Sequence, residues 1–175
     1  MSAPEFSRTV PVDTLGAEPR TMEIEADEAE RAALARRFDL LALGRLSARA
    51  GMVRKGTDIV AEGRIEAAVT QSCVATGEAV EAEVDEPFAL VFRPNPEPGR
   101  PDEDVELSEG ELDLVFYEGA AIDLGEAVAE TLALALDPYP RAPGAAKALK
   151  AAGVKSEEEA GPFGALAALR EKMKK

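Results

Sequence analysis

The sequence contains no histidine and a single cysteine, Cys73. Without histidine the chain cannot form a Ser-His-Asp triad, and with one cysteine it cannot supply the four Cys or His ligands of a structural zinc site. One cysteine also excludes an internal disulfide, which fits a reducing compartment. We therefore expect no metal site and no histidine-dependent catalysis.

The sequence also lacks a long apolar run, the pattern of a signal peptide and a phosphate-binding loop. No stretch of about eighteen apolar residues is present, and the N-terminus MSAPEFSRTV has neither the basic nor the apolar region of a signal peptide. The glycines occur singly, outside the GxGxxG and GK[ST] patterns. We expect a soluble cytoplasmic protein that has no cofactor, does not contact membranes and is not an enzyme.

What is present is a mixture of strand and helix patterns. A two-residue alternation runs through the middle of the chain and predicts strands with one buried face. The apolar positions of that alternation are Leu46, Ala48, Ala50, Met52, Ile59, Ala61, Ile65, Ala67, Val69, Cys73, Val80, Ala82, Val84, Phe88, Leu90 and Phe92. Lys55-Gly56 predicts a turn and Gly63 a β-bulge. Short strands are also expected near residues 6–15 and 21–25, and a last strand at 112–116.

The clearest helix signal lies in residues 122–141, IDLGEAVAETLALALDPYPR. Asp123 and Glu126 have the spacing of a capping box, and Leu124, Val128, Leu132 and Leu136 fall on one face, with Ala127, Leu134 and Ala135 widening it. Pro138 ends the helix. A shorter helix is expected at 28–38, where Asp27 and Glu30 repeat the capping spacing. Together the patterns predict an α+β fold, an antiparallel β-sheet meander packed by the central amphipathic helix.

The predicted domain covers residues 1–141. Within it, 93–111 has four prolines and many acids, which predicts a mobile acidic loop. Residues 142–175 are expected to form a flexible tail with a short docking helix near 163–172.

Several of these motifs together resemble the YceD family, the large ribosomal RNA subunit accumulation proteins. They are a strand ending in cysteine before a Thr-Gly turn, the acidic loop, the IDLGE helix with its Pro-Tyr-Pro exit, and the terminal PFGALAALREK. The residues that carry the resemblance are Cys73, Gly77, Asp123, Leu124, Gly125, Glu126, Pro138, Tyr139, Pro140 and Phe163. The resemblance implies a cytoplasmic bacterial factor in ribosome biogenesis, needed for accumulation of large-subunit ribosomal RNA, with no catalytic site to carry over. Family members often have C-x-x-C where this chain has Cys73 and Thr76, so the shared function should not need zinc.

Charge is distributed unevenly along a chain of net charge −14. Between Arg31 and Lys55 seven basic residues accompany one acid, whereas from Glu78 to Glu111 twelve acids accompany two bases. The basic segment predicts a contact with large-subunit ribosomal RNA or its precursor particle. The candidate contact residues are Arg36, Arg37, Arg45, Arg49, Arg54 and Lys55. Alternatively, the protein is an acidic binding module that chaperones a basic ribosomal protein, or the charges only solvate the surface.

Overall fold

The computed structural model describes residues 4–95 and 113–154, which form two compact units. The described part of the first unit comprises residues 4–71, 81–95 and 113–138, and that of the second comprises 72–80 and 139–154. The single domain predicted over residues 1–141 includes residues of both units. Most of the predicted acidic loop and the whole docking helix, with Phe163, lie outside the described residues.

Strands make up most of the first unit. In chain order the elements are β1 (Thr9–Pro11), a 3₁₀ turn (Val12–Thr14), β2 (Arg20–Glu25), α1 (Glu28–Arg37), β3 (Ala42–Lys55), β4 (Asp58–Ser72), β5 (Ala79–Pro94), β6 (Asp113–Tyr117), β7 (Ala121–Asp123), α2 (Leu124–Ala135) and, in the second unit, α3 (Ala145–Ala151). β1 and β7 pair as a separate antiparallel ribbon. The other five strands form one sheet in the order β2-β3-β4-β5-β6.

This sheet is mixed, so the α+β fold is confirmed, whereas the prediction of a fully antiparallel meander is wrong at its last strand. β3 is antiparallel to both of its neighbours, but β6 runs parallel to β5. Parallel neighbours require a connection of a dozen residues or more, and residues 95–112 between β5 and β6 are long enough to provide it. In β6, Val115 and Tyr117 pack against the core, and Phe116 is 52% exposed.

The predicted alternation of buried and exposed residues is confirmed in β3, β4 and most of β5, but Ala82, which was placed on the apolar face, is exposed. The predicted bulge at Gly63 is wrong, because Gly63 pairs with Ala50 in register and the shift falls between Leu43 and Arg45. A Cβ at Gly63 would lie 2.9 Å from both Ala50 Cα and Phe88 Cζ. Glycine is needed there for close packing across the sheet.

Both predicted helices form, and both begin where their capping residues indicated. Asp27 and Glu30 make a reciprocal capping box at α1. On α2, Leu124, Val128 and Leu132 are fully buried, which confirms the apolar face. Leu134 is 80% exposed, so its assignment to that face was wrong. No helix in the described part of the chain is long and apolar enough to cross a membrane.

Candidate functional site

The family-like IDLGE segment forms a junction at the start of α2. The side chain of Asp123 accepts hydrogen bonds from the amides of Gly125 (3.0 Å) and Glu126 (3.2 Å), which caps the helix. It also accepts from the Arg8 amide (2.8 Å) and the Ser7 hydroxyl (2.5 Å). One carboxylate therefore caps α2 and holds the N-terminal segment beside it.

Gly125 is the point of closest approach in this junction. A Cβ there would lie 2.6 Å from the Phe6 carbonyl oxygen and 2.8 Å from the Arg8 amide nitrogen. Since such distances lie well inside van der Waals contact, only glycine lets the N-terminal segment pass this close to the helix.

Glu126 does not complete the predicted capping box, because its carboxylate binds Arg37 on α1 instead. The two terminal guanidinium nitrogens of Arg37 donate to Glu126 Oε1 at 2.7 Å and Oε2 at 3.0 Å, and one of them also donates to Glu5 at 3.1 Å. These bonds, with Glu126 first, raise the pKa of the Arg37 guanidinium. Arg37, one of the predicted RNA contacts, thus links α1 to α2.

A second group of family-like residues meets in the second unit. The Val74 amide donates to the Pro140 carbonyl (2.9 Å), and the Ala142 amide donates to Cys73 Sγ (3.2 Å). Gly77 has a φ of 73° in the turn that follows Cys73, a conformation that favours glycine. The strand end and the Pro-Tyr-Pro exit, far apart in sequence, are therefore in direct contact.

Cys73 is buried, as its strand position predicted. Interaction with the Thr76 side chain, whose hydroxyl also donates to the Glu78 carboxylate (3.1 Å), and the hydrogen bond from the Ala142 amide lower the pKa of the Cys73 thiol to about 7.

The remaining candidate contacts do not form one basic patch. Arg45 pairs with Glu66 (3.4 Å) and Glu83 (3.6 Å), and Arg49 pairs with Glu23 (3.4 Å). At about 3.3 Å per strand residue, Arg45 and Lys55 lie roughly 33 Å apart along β3. A count of charges along one segment does not reveal the acids that neighbouring strands place beside these arginines.

The exposed side of the sheet, which we call the acidic sheet face, is dominated by carboxylates. Its central part carries three arginines and seven acids: Arg45, Arg49, Arg64, Glu23, Glu25, Glu62, Glu66, Glu81, Glu83 and Asp85. Arg64 is paired with Asp85, and this bond lowers the pKa of the Asp85 carboxyl. The face is negative overall.

Three cations lie at the end of the sheet near the β3–β4 turn; we call this end the hairpin tip and define it as Arg20, Arg54 and Lys55. Arg20 on β2 pairs with Met52 on β3, and Met52 is two residues before Arg54. Sequence reasoning missed Arg20, because only the strand register reveals its position. Lys55 is opposite Asp58, but the Asp58 carboxylate binds Arg93 (2.6 Å), which lowers the pKa of that carboxyl.

The tip residues donate only to neutral groups or to none. Arg20 donates to the Thr14 hydroxyl at 3.0 Å, and Arg54 to the Gly56 carbonyl at 3.1 Å. Within residues 4–95 and 113–154, none of the three forms an ion pair. Arg36 is likewise exposed without an ion pair in these ranges, but it lies on α1, which leads into the opposite end of β3.

A family model described as "Large ribosomal RNA subunit accumulation protein YceD" matches residues 61–170. The chain belongs to the YceD family. The match contains the Cys73 turn and the IDLGE helix, which confirms the resemblance, but it begins inside β4. All six candidate contacts of the sequence analysis therefore precede the region that matches the YceD model. No curated protein and no solved structure matches the chain.

Nothing in the described ranges gathers three Cys, Asp or Glu residues closely enough to hold a metal ion.

Proposed function

We propose that this YceD-family protein is a non-enzymatic cytoplasmic factor in the accumulation of large-subunit ribosomal RNA, and that its hairpin tip contacts the RNA. Membership of the family supports the biological role. The proposal for the contact surface rests on one observation: Arg20, Arg54 and Lys55 keep their charges free of ion pairs within the described ranges. A cation that is not already neutralised gains most from a phosphate.

Two triple variants with the same charge change test this surface. The tip variant replaces Arg20, Arg54 and Lys55 with Gln, and the control variant replaces Arg45, Arg49 and Arg64, which already lie beside carboxylates. Binding to a large-subunit ribosomal RNA fragment should weaken in the tip variant. The slope of log K against log salt concentration should become shallower by about 2 to 3. The control should bind nearly as well as the parent.

The same pair of variants separates function from folding in cells that lack the protein. We expect the control to restore large-subunit ribosomal RNA and the tip variant to fail, with equal melting temperatures for both. Restoration by the tip variant, or equal loss of RNA affinity in both variants, would reject the hairpin tip as the contact.

A second candidate is the acidic binding module that chaperones a basic ribosomal protein. The excess of carboxylates on the acidic sheet face favours it, because those groups repel phosphate and attract lysine and arginine.

A further inference from the structure

The acidic sheet face is unpartnered within the described ranges. The opposite face of the sheet belongs to the main core, together with residues of α1 and α2. On the acidic sheet face, by contrast, Arg45, Arg49, Glu62, Glu66 and Asp85 are all exposed. A rigid sheet therefore presents a broad polar surface that the described chain does not use.

Two hollows mark this face where short side chains interrupt the long ones. The first, of about 400 Å³, is lined by Glu23, Ile24, Glu25, Ser47, Ala48, Arg49, Arg64 and Glu66. Ser47 lies between Glu25 on β2 and Glu66 on β4, directly opposite both. The first hollow is therefore flanked by carboxylates on two sides.

The second hollow, of about 370 Å³, lies at the bulged end of β3. Its lining includes Gly44, Ala68 and Thr70, with Glu81 and Glu83 on β5. Gly44 falls at the register shift and has no side chain to fill the space. This hollow is also bordered by acids on one side.

The charges of the face are incompletely balanced. Each of its three arginines already has a carboxylate partner. Glu25, Glu62 and Glu81 have no ion pair within the described ranges, and all three are exposed. Additional positive charge from outside the described chain would complement these fixed carboxylates, whereas phosphates would be repelled.

We propose that the acidic sheet face binds an extended protein segment rich in lysine and arginine, which crosses β3 and β4 with cationic side chains in the two hollows. Extended chains place alternate side chains on one side, so one row of lysines could face the carboxylates. The proposal deepens the second candidate function by assigning its surface and the chemistry of its partner.

A defined peptide tests the proposal in the intact protein. The probe is a fluorescein-labelled ten-residue peptide of alternating lysine and threonine, and binding is followed by fluorescence anisotropy. The face variant replaces Glu25, Glu66 and Glu81 with Gln. The control variant makes the same charge change at exposed acids elsewhere in the first unit, through Asp13→Asn, Glu18→Gln and Glu130→Gln.

We expect the face variant to raise the dissociation constant for the peptide about tenfold, since each exposed charge pair contributes modestly. The control should stay within about twofold, and added salt should weaken binding to the parent. Absence of peptide binding to the parent, or equal weakening in both variants, would overturn the proposal.

An RNA measurement separates this surface from the hairpin tip. The large-subunit ribosomal RNA fragment should bind the face variant at least as tightly as the parent, because three negative charges are gone. Weaker RNA binding by the face variant would assign the face to RNA and overturn the peptide proposal. The peptide measurement does not use the tip variant, so the proposal for one surface can be rejected without rejecting the other.

Discussion

The charged groups of the IDLGE junction are held by ion pairs and hydrogen bonds, whereas those of the hairpin tip have no ion pair within the described ranges. At the junction, Asp123 accepts four hydrogen bonds and Arg37 is held by two carboxylates. At the tip, Arg54 and Lys55 have no ion pair within the described ranges. The junction uses its polar groups to fix the N-terminal segment and two helices in place, whereas the tip leaves its charge available to a partner.

This difference separates the residues that carry the family resemblance from those proposed to bind. Asp123 and Gly125 have complete structural explanations in a helix cap and a close backbone contact. A motif that maintains architecture can identify a family without touching its partner. The binding surface is therefore better sought among charges that the fold leaves unneutralised.

Gly125→Ala should have the largest effect of the changes that break the junction. The added methyl would meet backbone atoms of Phe6 and Arg8, which cannot move without shifting the N-terminal segment. We expect a loss of about 3 kcal/mol in the free energy of unfolding, measured by urea denaturation. Gly16→Ala is the matched control, because a Cβ there has nothing within 4 Å. Equal midpoints for the two variants would contradict the close contact.

The sequence predicted periodicity and caps well because both are local. The apolar alternation of β3 and β4 and the caps at Asp27 and Asp123 depend on residues within one segment. What it missed is non-local. The parallel pairing of β6, the Arg37 link to Glu126 and the carboxylates beside Arg45 all depend on which strands and helices become neighbours. For that reason the sequence did not reveal that Arg37, Arg45 and Arg49, three of the candidate RNA contacts, have carboxylate partners.

Arg37→Gln tests the junction from its charged side, and Arg36→Gln is a neighbouring control. Arg37 makes a bidentate, partly buried pair with Glu126, whereas the exposed Arg36 has no ion pair within the described ranges. We expect thermal denaturation to show a loss of about 1 kcal/mol for Arg37→Gln and less than about 0.5 kcal/mol for Arg36→Gln. Similar stability in the two variants would mean that the ion pair contributes nothing to the fold.

Thr76→Val tests the interactions around Cys73 in the second group of motif residues. The Thr76 side chain is the main cause that lowers the pKa of Cys73 to about 7. Valine cannot donate the same bond, so the thiol pKa should rise toward its usual value near 8.5. Because Cys73 is the only cysteine, the ultraviolet absorbance of the thiolate reports this group alone, with Cys73→Ser as the blank.

The same change has a defined consequence for stability against pH. A thiol pKa that is lower in the folded chain than in the unfolded chain adds stability above about pH 8.5, and this contribution is lost as the pH falls through about 7. The free energy of unfolding of the parent should therefore increase as the pH rises from about 7 to about 8.5. Thr76→Val should make this increase smaller, with little other change in stability. If the Cys73 thiol titrated above pH 8 in both proteins, Thr76 would not stabilise the thiolate and Cys73 would be an ordinary buried thiol.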